Sequence, residues 1–493
     1  MSSLIQPLTQ EQEEIVKVDF KNIKILLVNA YAGTGKTSTL VDFCEVRKGR
    51  KILYMAYNNS MAKEAKIKFK HLSSYVVVKT THSLAYAQFG KNKKSRFELG
   101  NLRAMDLMSF CGDLDEKEQY YYAYLLLKLI REFCNSKLTM QEYITYLSGS
   151  AREWGRENRA SLNFILDKLP FVWEQLETDD TLPYEHDFYL KKYQLSKPKL
   201  YFDFILVDEA QDINGCIIDI VLNQTAKKVF IGDTYQSIYK FRGATDSLEK
   251  LSNLEGVKTL FLTQSFRCPR TVSAIANQYL DLLRAPRPFK GTLIQNNTIP
   301  RQVTVIARTN AKLFDFALEN IDQKLYFVGG IKSYNFQDLI DMQNLIWGKT
   351  DYIRNGFIKK FQDLSELEDY ATETNEVDLK VKITTVKKYM KQKIYELVDE
   401  IKSNLAEKEE DADLILTTGH KSKGLEWDHV EILDDFTNLK EILEGEDELV
   451  VAKEELNLLY VAITRSKQLL SIDEDYIFDK ETLDAIKSSI SIV

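Results

Sequence analysis

A short stretch rich in glycine and threonine near the N-terminus has the residue types that bind a polyphosphate. Residues 30–37 read Ala-Tyr-Ala-Gly-Thr-Gly-Lys-Thr, between an apolar run that predicts a strand and a pattern that predicts a helix. Glycines let backbone N–H groups approach phosphate closely, and a helix N-terminus adds partial positive charge. Lys36 can reach the β- and γ-phosphates, and the Thr37 hydroxyl can bind Mg²⁺. Because Ala30 replaces the first glycine of the usual pattern, a chance glycine-rich turn is the alternative.

Two adjacent acids supply the other half of this chemistry. Asp208 and Glu209 directly follow the apolar run at residues 204–207, which predicts a buried strand. Asp208 can hold the Mg²⁺ of a bound nucleotide, and Glu209 can orient or deprotonate the attacking water. Two solvated acids at a strand end are the alternative. The phosphate-binding stretch in the same α/β segment favours the catalytic interpretation.

Composition restricts the class of protein. The chain has 493 residues, enough for about three or four folding units, with 44% hydrophobic and 28% charged residues. No apolar run approaches the ~20 residues of a membrane span, and no secretory signal is visible. The five cysteines are scattered, which favours a reducing compartment over a disulfide framework or a zinc site. Since the net charge is −7, any nucleic acid must be held by local basic and aromatic groups.

Strands and helices alternate in two parts of the chain, which predicts an α/β protein with parallel sheets covered on both faces. The first part has predicted strands at residues 23–28, 51–57, 75–79, 204–207 and 228–231. The second has predicted strands at residues 303–307, 325–329, 413–418 and 429–433. Helical insertions at residues 89–199 and 346–411 interrupt them. The α/β domains are therefore expected at 1–88 with 200–260, and at 261–345 with 412–493.

The order of the motifs carries a family resemblance. The phosphate-binding stretch and residues 208–212, Asp-Glu-Ala-Gln-Asp, resemble the UvrD/Rep branch of superfamily 1 DNA helicases. Further matches follow in the family's order at Gln12 and at residues 54–59, 80–85, 232–244, 264–267, 418–427 and 459–465. The resemblance covers nearly the whole chain. It implies two RecA-like P-loop NTPase domains, each with a mainly helical insertion, the second insertion being a reduced one.

Within that family the chain looks most like the F-box DNA helicase subgroup. Residues 81–85 and the short helical segment at 357–413 resemble it more than they resemble UvrD itself. The chain begins almost directly at Gln12, so we expect no F-box and transfer no role in recruiting a ubiquitin ligase.

The resemblance implies a role for each residue of an ATP site. Gln236 is expected to sense the γ-phosphate. Arg267 and Arg465 are expected to stabilise charge on that phosphate, because a guanidinium group stays charged and can bind two phosphate oxygens at once. The expected catalytic residues are Lys36, Asp208, Glu209, Gln236, Arg267 and Arg465, with Thr37 and Asp208 as Mg²⁺ ligands. The expected ATP contacts are Gln12, Ala32, Gly33, Thr34, Gly35, Lys36, Thr37, Ser38, Phe266, Glu426 and Tyr460. A surface salt bridge remains the alternative for Glu426, and core packing the alternative for Phe266 and Tyr460.

The same resemblance implies contacts to single-stranded DNA. Single strands are held by aromatic stacking and local positive charge rather than by reading base edges. The expected DNA contacts are Tyr57, Asn59, His82, Tyr239, Phe241, Arg242, Thr418 and His420. Tyr57 could equally be a core residue at a strand end. Phe241 lies between Lys240 and Arg242, which favours a DNA role.

Together these features predict an ATP- and Mg²⁺-dependent DNA helicase or translocase acting on single strands and on junctions of single and double strands. The resemblance implies 3′ to 5′ movement and work in DNA repair, recombination or replication. Two alternatives stay open. The first is an ATP-driven translocase that strips a recombinase filament or senses damaged DNA, with weak unwinding. The second is an ATP-gated DNA-binding subunit whose effector is another protein, in a repair or anti-phage complex. No membrane partner or secretion is expected, and the compartment would be the nucleoid, the cytoplasm or the nucleus.

Overall fold

The computed structural model describes residues 7–90, 100–112, 114–149, 159–179, 181–238, 247–294, 300–373, 377–445 and 450–493. The chain divides into two compact units. The first comprises Met1–Tyr31 with Gly35–Leu262, and the second comprises Ala32–Thr34 with Thr263–Val493.

A six-stranded parallel sheet organises the first unit. Its strands are β1 (Ile25–Ala30), β2 (Ile52–Ala56), β3 (Val76–Thr80), β4 (Phe204–Val207), β5 (Lys227–Gly232) and β6 (Val257–Leu262), in the order β3-β2-β4-β5-β1-β6. The central strand β1 pairs with β5 on one side, Ile25 opposite Lys228, and with β6 on the other, Ile25 opposite Val257. The strands read as continuous apolar runs because both faces of a parallel sheet are covered.

Eleven α-helices in the described part of the first unit cover this sheet or form its insertion. They are α1 (Gln10–Val16), α2 (Lys36–Glu45), α3 (Asn59–Lys68), α4 (Thr81–Ala85), α5 (Ala104–Leu107), α6 (Glu116–Asn135), α7 (Met140–Gly149), α8 (Arg159–Thr178), α9 (His186–Leu195), α10 (Gly215–Leu222) and α11 (Ser247–Ser252). Alternate β1 side chains enter different cores: Leu27 packs with the insertion helices, and Leu26 with α2 and the strand faces on the other side.

A second parallel sheet organises the second unit. The strands of this unit are β7 (Gln264–Pro269), β8 (Lys290–Leu293), β9 (Val303–Ala307), β10 (Leu325–Phe327), β11 (Leu414–Thr418), β12 (Trp427–Ile432), β13 (Val450–Val451), β14 (Ser466–Ser471) and β15 (Ser491–Ile492). Five of them form one sheet in the order β10-β11-β9-β12-β14, while β7 pairs with β8 and β13 with β15.

The helices of the second unit fall into those beside the sheet and those inserted between β10 and β11. They are α12 (Arg270–Leu282), α13 (Asn310–Glu319), α14 (Gln337–Ile346), α15 (Leu364–Glu373), α16 (Val377–Lys388), α17 (Ile394–Ser403), α18 (Gly419–Ser422), α19 (Leu439–Glu444), α20 (Lys453–Ile463) and α21 (Lys480–Ser489). Helices α14 to α17 share one apolar core with β9, β10 and β11.

The structure confirms the predicted α/β class with parallel sheets. Sequence analysis missed six strands, namely β6, β7, β8, β13, β14 and β15. Of these, β6 crosses the boundary drawn at residue 260 and adds an edge to the first sheet. The four-part division of the chain stays a prediction. All five cysteines are free and buried. Among the described residues, no helix has the length and apolar character needed to cross a membrane.

Candidate functional site

The phosphate-binding stretch forms the connection between β1 and α2. Gly35 precedes the helix with φ 78° and ψ 34°, a left-handed conformation that glycine adopts without strain. Gly35 makes no side-chain cap on α2, and the N-terminus of the helix directs its partial positive charge toward this turn, which suits an anion. Lys36 opens the helix, which places its ammonium beside the backbone N–H groups of that N-terminus.

The lysine and one of the two predicted acids lie together. The Lys36 Nζ is 3.4 Å from Glu209 Oε1, and both side chains are largely buried, with 15% and 20% of their surface exposed. An ion pair with so little exposure is weakly screened by salt. The structure therefore brings together the lysine expected to bind phosphate and the acid expected to orient water, both in the first unit.

The second acid, Asp208, has a neighbour that the sequence did not indicate. Tyr54 on β2 donates its hydroxyl hydrogen bond to Asp208 Oδ2, and it also forms a side-chain hydrogen bond with Thr37. Asp208 is almost fully buried. Burial and then the charge of Glu209 raise the pKa of Asp208 from 3.8 to about 6, while Lys36 and the Tyr54 hydrogen bond oppose the shift. The two expected Mg²⁺ ligands thus share one tyrosine, which lies 154 positions from Asp208.

A chain of side-chain hydrogen bonds links the expected base with the expected phosphate sensor. Gln211 donates from Nε2 to Glu209 Oε2 at 2.6 Å, and its Oε1 accepts from the backbone N–H of Asp233 at 3.0 Å. Gln236 then donates from Nε2 to Asp233 Oδ2 at 2.7 Å. We call Glu209, Gln211, Asp233 and Gln236 the relay. Neither Gln211 nor Asp233 was among the predicted site residues, although both lie inside quoted motifs.

The relay depends on a glycine and on an unusual backbone. A Cβ at Gly232 would lie 2.2 Å from Gln211 Oε1 and 2.9 Å from the Ala210 N, so a side chain cannot fit there. Glu209 has φ 50°, in the left-handed region that non-glycine residues rarely adopt. Such conformations cluster at functional sites, where surrounding contacts hold them.

Gln12, expected to contact the adenine, is held at the start of the chain's first helix. It forms a capping box with Thr9, and its Oε1 accepts from the Thr9 backbone N–H at 2.9 Å. Its Nε2 donates to Thr39 Oγ1 on α2 at 3.2 Å. These bonds fix the amide beside the helix that begins with Lys36.

The expected ATP residues of the second unit meet one another. Arg267 Nε and Glu426 Oε2 form an ion pair at 2.5 Å. Arg465 is 99% buried, and its guanidinium donates to the Val461 carbonyl at 2.8 Å and to the Leu425 carbonyl at 3.1 Å.

The two aromatic residues expected at the nucleotide differ in exposure. Phe266 is 38% exposed, whereas Tyr460 is fully buried with its ring centroid 6.5 Å from that of Phe289. This burial favours the core-packing alternative for Tyr460. The nucleotide roles of the second unit's residues stay predictions.

Three predicted DNA contacts of the first unit line one cavity of about 600 Å³. They are Tyr57, Asn59 and His82, and the cavity also receives Asn58, Thr80, Ser83, Tyr86, Asn135, His186, Asp187, Tyr189, Asp212, Asn214 and Ile217. His82 Nε2 lies 3.1 Å from Asp187 Oδ1 on α9, so the insertion supplies one wall. Sequence analysis missed that wall because its residues come from a segment in which no motif was recognised.

The other predicted DNA contacts fall elsewhere. Thr418 and His420 belong to the second unit, where the Thr418 hydroxyl accepts from the Lys421 N–H at the start of α18. Tyr239, Phe241 and Arg242 lie outside the described residues.

Comparison with known proteins identifies relatives of this chain. The model of the UvrD/REP helicase N-terminal domain matches residues 8–254, half of the chain. F-box DNA helicase 1 of Gallus gallus is 29% identical, over 95% of this chain and 49% of the relative. F-box DNA helicase protein 1 of Schizosaccharomyces pombe is 28% identical, over 95% of this chain and 57% of the relative. DNA helicase II of Escherichia coli K12 is 26% identical, over 57% of this chain and 41% of the relative. The chain thus spans about half the length of these curated relatives.

Proposed function

This chain belongs to the UvrD/REP helicase family, and on that premise we propose that it is an ATP-driven motor that moves along single-stranded DNA and separates strands at junctions. The observation that carries the proposal is the approach of Lys36 Nζ to Glu209 Oε1 at 3.4 Å, at the end of the relay that reaches Gln236. A phosphate-binding cation, a water-orienting acid and a phosphate-sensing amide are the parts that ATP hydrolysis requires.

The residues fit ATP with Mg²⁺. The N–H groups that open α2 have no side-chain cap at Gly35, and Lys36 adds a cation beside them, which suits a polyphosphate. Thr37 and Asp208 offer a hydroxyl and a carboxylate next to that position. Among the described residues no group of three or more His, Cys, Asp or Glu side chains could hold a metal alone. Mg²⁺ is usually bound by one or two carboxylates together with substrate phosphates and water, and Asp208 offers one such carboxylate.

Each residue of the site has a separate task in this proposal. Lys36 neutralises charge on the terminal phosphates, and Glu209 accepts a hydrogen bond from the attacking water and takes its proton. Gln211 holds Glu209 in position. When bound, Mg²⁺ supplies further neutralisation of phosphate charge. Arg267 and Arg465 of the second unit are proposed to stabilise the same charge, which would tie hydrolysis to domain motion.

DNA binding is proposed for the cavity that contains Tyr57, Asn59 and His82. The rings of Tyr57, His82 and Tyr86 line this cavity, and aromatic rings can stack on bases of any sequence in a single strand. Movement from 3′ to 5′ and work in repair, recombination or replication follow from the family resemblance. The nucleus or the nucleoid is the corresponding compartment.

Steady-state ATP hydrolysis with and without single-stranded DNA tests the proposal, with wild type beside Glu209→Gln. Strong stimulation by DNA that the variant loses is the expected result. General-base catalysis contributes about 10²–10⁴-fold, so the variant should lose at least about 100-fold in kcat. Hydrolysis that ignores DNA would reject the motor and favour the DNA-binding subunit that depends on a partner protein.

A further inference from the structure

The inserted helices of the second unit carry an exposed surface that the proposed motor does not use. It consists of Trp347, Lys349, Tyr352, Met390, Lys391 and Tyr395, and we call it the Trp347 surface. Trp347 and Lys349 follow the end of α14, and Met390 and Lys391 lie between α16 and α17.

One buried glutamine brings these two segments together. Gln343 Nε2 donates to the Gln392 carbonyl at 2.7 Å, and Gln343 Oε1 accepts from the Ile394 N–H at 2.8 Å. The Trp347 N–H donates to the Gln343 carbonyl at 3.1 Å. Because residues four apart share a face of a helix, Trp347 lies on the side of α14 that meets the turn at residues 389–394.

Aromatic faces and cations alternate on this surface. The exposed fraction is 37% for Trp347, 71% for Tyr352 and 43% for Tyr395. The Lys349 ammonium lies 4.8 Å from the centre of the Trp347 ring, and Lys393 lies 5.8 Å from that of Tyr395. The rings are thus presented to solvent beside positive charge.

Two lysines of this surface, Lys349 and Lys391, form no ion pair with an acid among the described residues. Residues 379–395 contain six lysines, and the acids Asp378 and Glu396 stand directly beside this segment. Lys382, Lys387, Lys388 and Lys393 pair with acids. Lys391 is exposed at the tip of the turn, where Asp351 and Glu396 are the neighbouring acids along the two segments. Lys349 and Lys391 are therefore the cations that this face offers to an anionic partner.

We propose that the Trp347 surface is a second binding site for unpaired nucleic acid, separate from the cavity of Tyr57 and His82. Exposed rings beside lysines are the means by which proteins hold single strands without reading sequence. A duplex offers phosphates to the lysines but keeps its bases stacked, so it would leave the rings unused. Binding at this site needs no nucleotide and no catalysis. The proposal can therefore be tested independently of the proposed motor.

Photo-crosslinking of the full chain tests the site. A single strand containing 5-iodouracil is irradiated with the protein in the absence of ATP, and the crosslinked peptides are identified by mass spectrometry. Crosslinks to the peptide of Trp347 are expected. Lys391→Glu should lower their yield by about fivefold or more, whereas Lys480→Glu on α21 should not change it, since α21 packs on α12 and α19 instead.

Tryptophan fluorescence provides a second reading. The single strand should quench wild type more than Trp347→Phe, while the affinity of Trp347→Phe stays within about twofold because phenylalanine also stacks. Trp347→Ala should lose affinity, and circular dichroism would show whether that variant folds. If it does not fold, Lys391→Glu and Trp347→Phe still decide the question.

Three results would overturn the proposal. The first is an absence of crosslinks on this surface together with unchanged quenching in Trp347→Phe. The second is equal protection of the surface by blunt duplex DNA, which would show a phosphate contact alone. The third is displacement of the strand by polyglutamate at equal charge, which would indicate an acidic protein partner. Lys36→Ala should leave the crosslinks at Trp347 and the fluorescence quenching unchanged. A failure of the proposed motor can therefore be told apart from a failure of the proposed site at the Trp347 surface.

Discussion

Gln211 donates a hydrogen bond of 2.6 Å to Glu209, the acid two positions before it that is expected to activate water. The bond holds a carboxylate whose backbone is in the left-handed region, with φ 50°. The oxygen of the same amide accepts a hydrogen bond from the backbone N–H of Asp233. The Gln211 side chain therefore holds both Glu209 and Asp233 in position. We therefore expect the orientation of the Gln211 amide to matter for catalysis as well as for packing.

Replacing Gln211 should slow the chemical step. In Gln211→Ala we expect kcat for ATP hydrolysis to fall about 10- to 100-fold, since misplacing a reacting group by about 1 Å can cost about 10². Nucleotide affinity, measured by titration of a fluorescent ATP analogue, should change little. Gln224→Ala removes another buried glutamine of the first unit and controls for lost stability. A comparable loss of kcat in that control would contradict a positioning role.

Gly232 should tolerate no side chain. A Cβ there would lie 2.2 Å from Gln211 Oε1, so Gly232→Ala should displace the relay and destabilise the first unit by about 1–3 kcal/mol. Urea unfolding and ATP hydrolysis measure the two effects. Gly356→Ala is the matched control, because no described atom lies within 4 Å of the added carbon. Normal hydrolysis by Gly232→Ala would show that the relay adjusts freely.

Tyr54 should influence the Mg²⁺ requirement of ATP hydrolysis rather than the binding of DNA. Tyr54→Phe removes the hydroxyl that donates to Asp208 and bonds Thr37. Hydrogen bonds to charged groups contribute about 1.5–3 kcal/mol, so we expect the Mg²⁺ concentration for half-maximal hydrolysis to change by about tenfold. Tyr75→Phe removes only a hydroxyl bonded to a backbone carbonyl at 3.4 Å and serves as the control. An unchanged Mg²⁺ requirement would place the metal elsewhere.

His82 should matter only when DNA is present. His82→Ala removes a ring from the wall of the cavity and leaves the phosphate-binding residues in place. We expect the DNA concentration for half-maximal stimulation to rise about fivefold or more, with basal hydrolysis unchanged. His71→Ala is the comparison, because His71 pairs with Glu45 outside that cavity. Equal effects of the two substitutions would argue against a strand in the cavity.

Lys421 should make stability depend on pH. Burial lowers the pKa of Lys421 from 10.5 to about 8 in the folded protein. Between these values the unfolded chain holds one proton more than the folded chain, so the free energy of unfolding should rise as pH increases from about 8 toward 10.5. Below pH 8 the cost of burying the charge is fully present.

The measurement for Lys421 compares wild type with Lys421→Gln by urea unfolding across this pH range. The rise should be smaller in the variant, which has no amine to titrate. Identical pH profiles would mean that the hydrogen bond from Lys421 to the Ser333 carbonyl and the contact with the Tyr334 ring keep the amine charged.

Sequence patterns predicted the buried strands better than the edges. The runs at residues 204–207 and 303–307 coincide with β4 and β9, because central parallel strands are apolar throughout. β14 was missed because it lies at a sheet edge, is only half-buried and contains serine, lysine and glutamine. β6 was missed because its apolar run adjoins the start of the second unit. Its pairing with β1 joins residues that are far apart in the sequence, so a local pattern cannot reveal it.

The residues of the candidate site also differ in how well local sequence patterns predicted them. Residues whose type and local context suffice, such as Lys36 and Glu209, could be found from sequence, and the structure places them together. Tyr54 and Gln211 could not be assigned, because their roles depend on partners brought near by the fold. Asp187, which lies beside His82 in the wall of the cavity, could not be predicted because it belongs to no recognised motif.

The burial of every cysteine has a practical consequence. Burial raises the pKa of Cys44 and Cys216 to about 12 and that of Cys268 to about 11, and it also raises the pKa of Cys111 and Cys134. Since the thiolate is the form that reacts, native thiols should be poor targets for maleimide dyes at neutral pH. One exposed cysteine introduced into each unit would then be labelled selectively without removing the native ones. Energy transfer between the two dyes could follow the distance between the units through each turnover.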